Sequence, residues 1–183
     1  MSSVSAAPPV SQPNTAVQIN GIYNDYRKAY MNRLYYDCRV EFLKKVNLYY
    51  EIVLAVGTSG TVAAWYVWET GFGKTVWPIF GGTVALLSIL KPILKIPERI
   101  ERLSKLQTGY SELYYELEQS KRTMEEQKGL PPDVLKSSAA AQARYRKLAM
   151  EDEVPHEKLL QRCFDEVKRK TAAFPDWYQK YIA

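Results

Sequence analysis

The sequence predicts an all-α membrane protein: a two-helix transmembrane hairpin whose long flanking helices extend into a cytoplasmic helical bundle. Three observations predict it. Two apolar islands of near-spanning length stand in an otherwise polar chain of 183 residues. Basic residues crowd the outer flanks of both islands and are nearly absent from the loop between them. The remaining segments carry apolar residues at helical three–four spacing, interrupted by prolines.

The first island, 48–68, reads LYYEIVLAVGTSGTVAAWYVW, and the second, 75–94, reads TVWPIFGGTVALLSILKPIL. Each is close to the ~20 residues that cross ~30 Å of hydrocarbon as a helix. The mean hydropathy of −0.32 averages these islands away. Between them lies only Glu69-Thr-Gly-Phe-Gly-Lys74. So short a turn forces two helices antiparallel.

The flanks resemble those of a bilayer-spanning segment. Tyr49 and Tyr50 open the first span, Trp65, Tyr66 and Trp68 close it, and Trp77 starts the second. Aromatic rings favour the membrane–water interface. Arg27, Lys28, Arg33, Arg39, Lys44 and Lys45 precede the first span, and Lys91, Lys95, Arg99, Arg102 and Lys105 lie at or beyond the end of the second. The loop carries Lys74 beside Glu69. The positive-inside rule then places both termini in the cytoplasm of a multi-pass inner-membrane protein. A soluble bundle with a buried hairpin would leave this placement a coincidence.

Within the spans, Gly57, Thr58, Ser59, Gly60, Thr61, Gly81, Gly82, Thr83 and Ser88 are candidates for helix packing or for a hydroxyl-lined pore. Small residues let helix backbones approach, and hydroxyls can bond across helices. Ala55, Ser59 and Ala63 fall four apart, as do Gly57 and Thr61, and Gly81 and Ala85. Packing within one hairpin and contact between hairpins both satisfy this pattern. Two charges lie inside the apolar stretches. Glu51 stands 18 residues before Glu69, and Lys91 stands 17 after Lys74. At ~1.5 Å per residue they sit at matched depth, as an ion pair requires; snorkelling of Lys91 alone is the alternative. Pro92 is expected to bend the second helix as it leaves the membrane.

Outside the hairpin, residues 1–19 are rich in Ser, Ala, Pro, Val and Gln and read as a disordered leader. They lack the basic start and apolar run of a signal peptide. Residues 20–47 read as a cytoplasmic helix running on into the first span, with Tyr23, Tyr26 and Tyr30 on one face. Residues 95–128 form a stem. Its seam, Leu103, Leu106, Tyr110, Leu113, Leu117 and Met124, alternates by three and four, with Ser120 at the one polar position. Gly129, Pro131 and Pro132 end it, and 129–183 form a helical tail. That tail closes on Phe174, Trp177 and Tyr178, aromatic groups suited to docking on the bundle or on a partner.

No enzyme is expected. The single histidine, His156, has no ligand set around it, and no cofactor or metal is implied. Gly71-Phe-Gly-Lys74 lacks the strand and glycine spacing of a phosphate loop, and Gly57-Thr-Ser-Gly60 is not a nucleophile elbow. The formal charge of +5 is accounted for by topology, so no nucleic acid is expected as a partner. Cys38 and Cys163 show no CxxC spacing and read as cytoplasmic thiols.

A helix rich in Tyr and Arg (Tyr23-Asn-Asp-Tyr-Arg-Lys-Ala-Tyr30), a tight transmembrane hairpin and a helical tail together resemble the SLATT family over about residues 20–128. These are two-transmembrane effectors of bacterial conflict and anti-phage systems. The resemblance is one of architecture, without a catalytic motif. It implies a homo-oligomer that forms a pore or disrupts the membrane, held quiet until a cytoplasmic sensor or nucleotide-signalling partner releases it. The alternative is a membrane anchor or scaffold recruiting a soluble partner through its coiled-coil stem.

Overall fold

The computed structural model describes residues 12–59, 71–152 and 154–171, with the side chains of 12–14, 58–59, 71–78 and 80 left out of that description. All regular structure among these residues is α-helical: α1 (Gln12–Ser59), α2 (Gly71–Leu94), α3 (Ile96–Gln127), α4 (Pro132–Glu151) and α5 (Glu157–Lys170). The chain divides into two compact units. One joins Met1–Tyr36 with Leu106–Ala183, and the other is Asp37–Lys105.

The first unit is a four-helix bundle whose directions follow from its contacts. Tyr36 stacks on Tyr110 at 5.4 Å, Tyr26 on Tyr114 at 5.4 Å, and Tyr23 donates to Glu125 at 3.1 Å. Numbers fall on α1 as they rise on α3, so the two are antiparallel. Ser120 meets Ser137 at 2.9 Å and Glu116 meets Arg144 at 3.0 Å, which sets α4 antiparallel to α3. The α5 helix returns along α1. The Tyr35 hydroxyl receives the backbone N–H of His156 at 2.9 Å, and Arg27 donates to the Thr171 carbonyl at 2.6 Å. Up-down-up-down order with short links is the low-cost way to bury one apolar stripe per helix.

The stem seam is the buried stripe of α3. Leu106, Tyr110, Leu113, Leu117 and Met124 are all buried in this unit, and Ser120 is buried with them. Ser120 tolerates burial because its hydroxyl donates to the Glu116 carbonyl and meets Ser137. Each fully buried leucine contributes roughly 1.5–3 kcal/mol. At Gly109 a β-carbon would meet Leu148 Cδ2 at 2.6 Å, so glycine is what lets α4 approach there.

Three boundaries differ from the sequence reading. The first helix begins at Gln12 rather than at residue 20, which places part of the expected leader in the bundle. Ile19, Ile22 and Tyr23 pack with Met124 and Val134, and Leu130 adjoins them. Pro13 is tolerated because first-turn N–H groups have no helical partner. The remaining leader, residues 1–11, lies outside the described residues. Second, α2 continues through Pro92 to Leu94, and the break comes at Lys95, in the left-handed region at φ 45°. Pro92 has no N–H to give the Ser88 carbonyl, a single bond lost close to the end of α2, and Pro97 fits the first turn of α3, where N–H groups have no helical partner. Third, Lys128, not Gly129, takes the left-handed conformation that ends α3, at φ 47°. The Gly129 N–H then closes a Schellman-type bond to the Met124 carbonyl at 3.2 Å.

Candidate functional site

The second unit contains the rest of α1, all of α2 and the first turns of α3. Its α1 and α2 meet along one narrow line. Val84 is buried there, and a β-carbon on Gly57 would lie 2.5 Å from Val84 Cγ2. Tyr50 donates its hydroxyl to the Leu87 carbonyl. Glu51 Oε1 lies 2.9 Å from Lys91 Nζ, both side chains being about half exposed. Val84, Leu87 and Lys91 fall at i, i+3 and i+7, one stripe of α2.

Away from that stripe the hairpin turns apolar side chains outward. Tyr49 is 68% exposed on α1; Ile79, Leu86, Ile89 and Ile93 on α2 are 68, 60, 67 and 67% exposed. Leu48, Ile52 and Val56 are exposed as well. The hydroxyls of α2 are satisfied by their own helix: Thr83 donates to the Ile79 carbonyl at 2.8 Å, and Ser88 to the Val84 carbonyl at 2.9 Å. Hydroxyls tied this way need no partner across a helix interface.

The candidate positions therefore separate. Gly57 faces the hairpin's own interior, while Gly81 and Gly82 face open space with nothing within 4 Å of an added β-carbon. Thr83 and Ser88 bond backward along α2. Thr58 and Ser59 lie in the last turn of α1 with side chains outside the description, and Gly60 and Thr61 lie outside the described residues altogether. Leu103, the first seam position, is buried in this unit. Among the described residues, no helix is long and apolar enough to cross a membrane. Residues 60–68 of the first expected span, and the loop 69–70, fall outside them.

In the first unit the structure assembles a tyrosine network that the sequence pattern did not bring together. Tyr36 and Tyr110 both donate to the Asp152 carboxylate, each at 2.8 Å, and their rings stack within 8° of parallel. With Tyr35 holding the His156 N–H, three phenols fix the α4–α5 connection. Burial and the adjoining carboxylate push the Tyr110 phenol well above its ordinary range, so it remains a donor. Tyr114 is raised likewise by burial and by its contact with Tyr26. Arg33 lies 4.8 Å from the Tyr114 ring centre and 4.9 Å from that of Tyr115. The spacing of Tyr23, Tyr26 and Tyr30 was a signal for a shared face; nothing local marks Asp152 as their neighbour's acceptor. His156 is exposed at the N-terminus of α5, and no group of three potential metal ligands gathers among the described residues. Cys38 is exposed and Cys163 buried.

No family model, no curated protein and no solved structure matches the chain.

Proposed function

We propose that this chain is a membrane effector. Its 48–94 hairpin inserts in the inner membrane with both termini cytoplasmic, associates with further copies, and forms a pore or disrupts the bilayer under control of its cytoplasmic helices. One observation carries the membrane part of the reading: both helices of the hairpin direct large apolar side chains outward, while Thr83, Ser88, Glu51 and Lys91 find their polar partners within it. Exposed apolar surface of this extent needs a cover, and lipid tolerates only helices whose polar groups are satisfied from within. The aromatic and basic flanks of the two islands support the orientation. The effector part rests on the resemblance to the SLATT family and belongs to the same proposal, as do oligomerisation and a cytoplasmic trigger. The anchor or scaffold reading uses the same hairpin without permeabilisation.

The test has two arms. Membrane pellets washed with alkaline carbonate should retain the protein, and an impermeant maleimide should label a cysteine at Gly71 in intact cells but not Cys38. Cys163 is buried and so reports nothing about sidedness. Release into the carbonate wash, or outside labelling of Cys38, overturns the hairpin. The second arm is dye release from liposomes reconstituted with the purified chain. Release that rises more than linearly with protein density supports the effector; retained insertion with intact liposomes leaves the anchor.

A further inference from the structure

In the bundle unit, a crease of about 270 Å³ opens between α1, α3 and α4. Leu113, Leu117 and Ala141 lie at its base, Tyr145 forms a wall, and Asp25, Lys28, Gln142 and Arg146 form the rim. Its origin is legible in the packing. The α4 helix is held to α3 at both ends, by the Ser120–Ser137 bond at 2.9 Å and by the close approach of Leu148 to Gly109. Between these points position 141 offers only a methyl group, where a longer side chain would fill the space.

The rim has a defined charge. Asp25 Oδ2 accepts from Gln142 Nε2 at 2.8 Å, so its carboxylate is already engaged. Glu116, one turn from Leu113 and beside Leu117 on α3, is held by Arg144 at 3.0 Å. Lys28 and Arg146, from α1 and α4, make no hydrogen bond or ion pair among the described residues. The rim therefore carries two cations against one satisfied carboxylate. The base residues are only 1–2% exposed, so the crease closes on an apolar floor. Its volume corresponds to roughly nine water molecules at ~30 Å³ each, the scale of one substituted aromatic ring. Apolar floor, aromatic wall and a few convergent polar groups are the usual makings of a small-molecule site.

We propose that this crease binds a small aromatic anion, a ring bearing a phosphate or carboxylate. The ring lies against Tyr145 above Leu113 and Leu117, and the anionic group sits between Lys28 and Arg146. The arginine fork matches two oxygens of either group. This site stands apart from the membrane reading and does not depend on it.

Titration calorimetry of the full chain in a nonionic detergent tests the proposal, with phenyl phosphate and benzoate as probes. At least one should bind saturably at one site per chain. Inorganic phosphate, which lacks the ring, and benzyl alcohol, which lacks the charge, should each bind at least about tenfold more weakly. Lys28→Gln and Arg146→Gln remove exposed charges without touching the core, and each should weaken binding about tenfold, the scale of a lost charged hydrogen bond. Ala141→Leu should abolish it by filling the base, with folding checked by circular dichroism. Absence of saturable binding by both probes overturns the site. So does binding that survives both glutamine variants, or inorganic phosphate binding as tightly as phenyl phosphate.

Discussion

Replacing Gly57 by alanine adds one methyl group at the tightest point of the hairpin. That methyl would stand 2.5 Å from Val84 Cγ2, 2.7 Å from Cγ1 and 3.1 Å from Cβ. Real carbon–carbon contacts begin near 3.5 Å, so a displacement of roughly 1 Å is needed. A flexible side chain would swing away, but valine is branched at Cβ and holds one strongly preferred rotamer in a helix. The displacement must come from the helices. Overpacking of this kind costs about 1–3 kcal/mol, and the better helix propensity of alanine returns at most ~1 kcal/mol. Gly57→Ala should therefore lower hairpin stability by about 1–2 kcal/mol. Gly82→Ala meets nothing within 4 Å and should be neutral or stabilising by up to ~1 kcal/mol. Thermal unfolding of the detergent-purified chain, followed by the fluorescence of its tryptophans, reads the difference. Val84→Ala in the Gly57→Ala background returns the lost space and should recover part of the stability. Equal effects of Gly57→Ala and Gly82→Ala, or no rescue by Val84→Ala, would refute the reasoning.

Three further outcomes follow from the packing. Glu51→Gln and Lys91→Gln should each destabilise the hairpin, and the double change should recover part of the loss; a coupling of about 0.5–1 kcal/mol suits a half-exposed pair at 2.9 Å. Simple additivity in that cycle would mean the two charges act separately. Lys128→Gly removes a side chain from the left-handed position that closes α3, and should raise bundle stability by about 0.5–1 kcal/mol after the entropy of glycine is subtracted, measured by urea unfolding. A drop in the midpoint would show that the lysine side chain contributes more than its conformation costs. The raised phenols give a pH dependence with a definite sign. Tyr26, Tyr110 and Tyr114 hold their protons in the folded chain beyond the ordinary value of 10.0. Their contribution is complete below that pH and is lost as pH rises through the folded values, because the folded state binds more protons there. Stability should fall above about pH 10, and Tyr110→Phe should flatten the fall; an unchanged slope in that variant would count against it.

The seam of α3 was readable because a single periodicity governs it. Leu103 through Met124 repeat by three and four, Ser120 included, and each of those positions is buried. The pairing of Glu51 with Lys91 was readable from a similar regularity: at a uniform helical rise, counts of 18 and 17 residues from the connecting turn give nearly equal heights. What depends on neighbours from other helices was not readable. Gly57 and Gly81 belong to the same kind of small-residue pattern, yet one faces Val84 and the other open space. Only the rotation of each helix about its axis separates them. Asp152 ends α4 as one more acidic residue of a polar linker, and its two phenol donors come from α1 and α3. Ile19 reads as part of a polar leader until Met124 and Val134 appear beside it. The ends of α2 and α3 followed backbone dihedrals at Lys95 and Lys128 that no residue type advertises, since lysine is an unfavourable choice for either.

On the proposed membrane reading, the first helix runs through two different surroundings. In its bundle portion Ile19, Ile22, Tyr26, Ala29 and Tyr36 are buried, and Asn20, Asn24 and Lys28 are exposed. That is the order expected of a helix facing a protein core on one side and water on the other. In its hairpin portion apolar groups join the exposed side, beside Glu41 and Lys45. Phe42, Leu48, Tyr49, Ile52 and Val56 are exposed, and Glu51 is drawn to Lys91. Nothing in helix propensity calls for such a change, because both portions form the same continuous α1. On the proposed membrane reading a change of solvent accounts for it: apolar groups turned outward are costly in water at roughly 25 cal/mol per Å² and cost nothing in hydrocarbon. The exposed apolar side also separates two readings of the cover. If lipid supplies it, Ile52→Lys and Leu86→Lys should each reduce retention in carbonate-washed membranes. If only further copies of the chain supply it, the same changes should yield a dispersed, soluble chain that keeps the Glu51–Lys91 coupling. Phe42 lies six residues ahead of Leu48, at the level where headgroups begin on the lipid reading, and Phe42→Lys should leave retention intact.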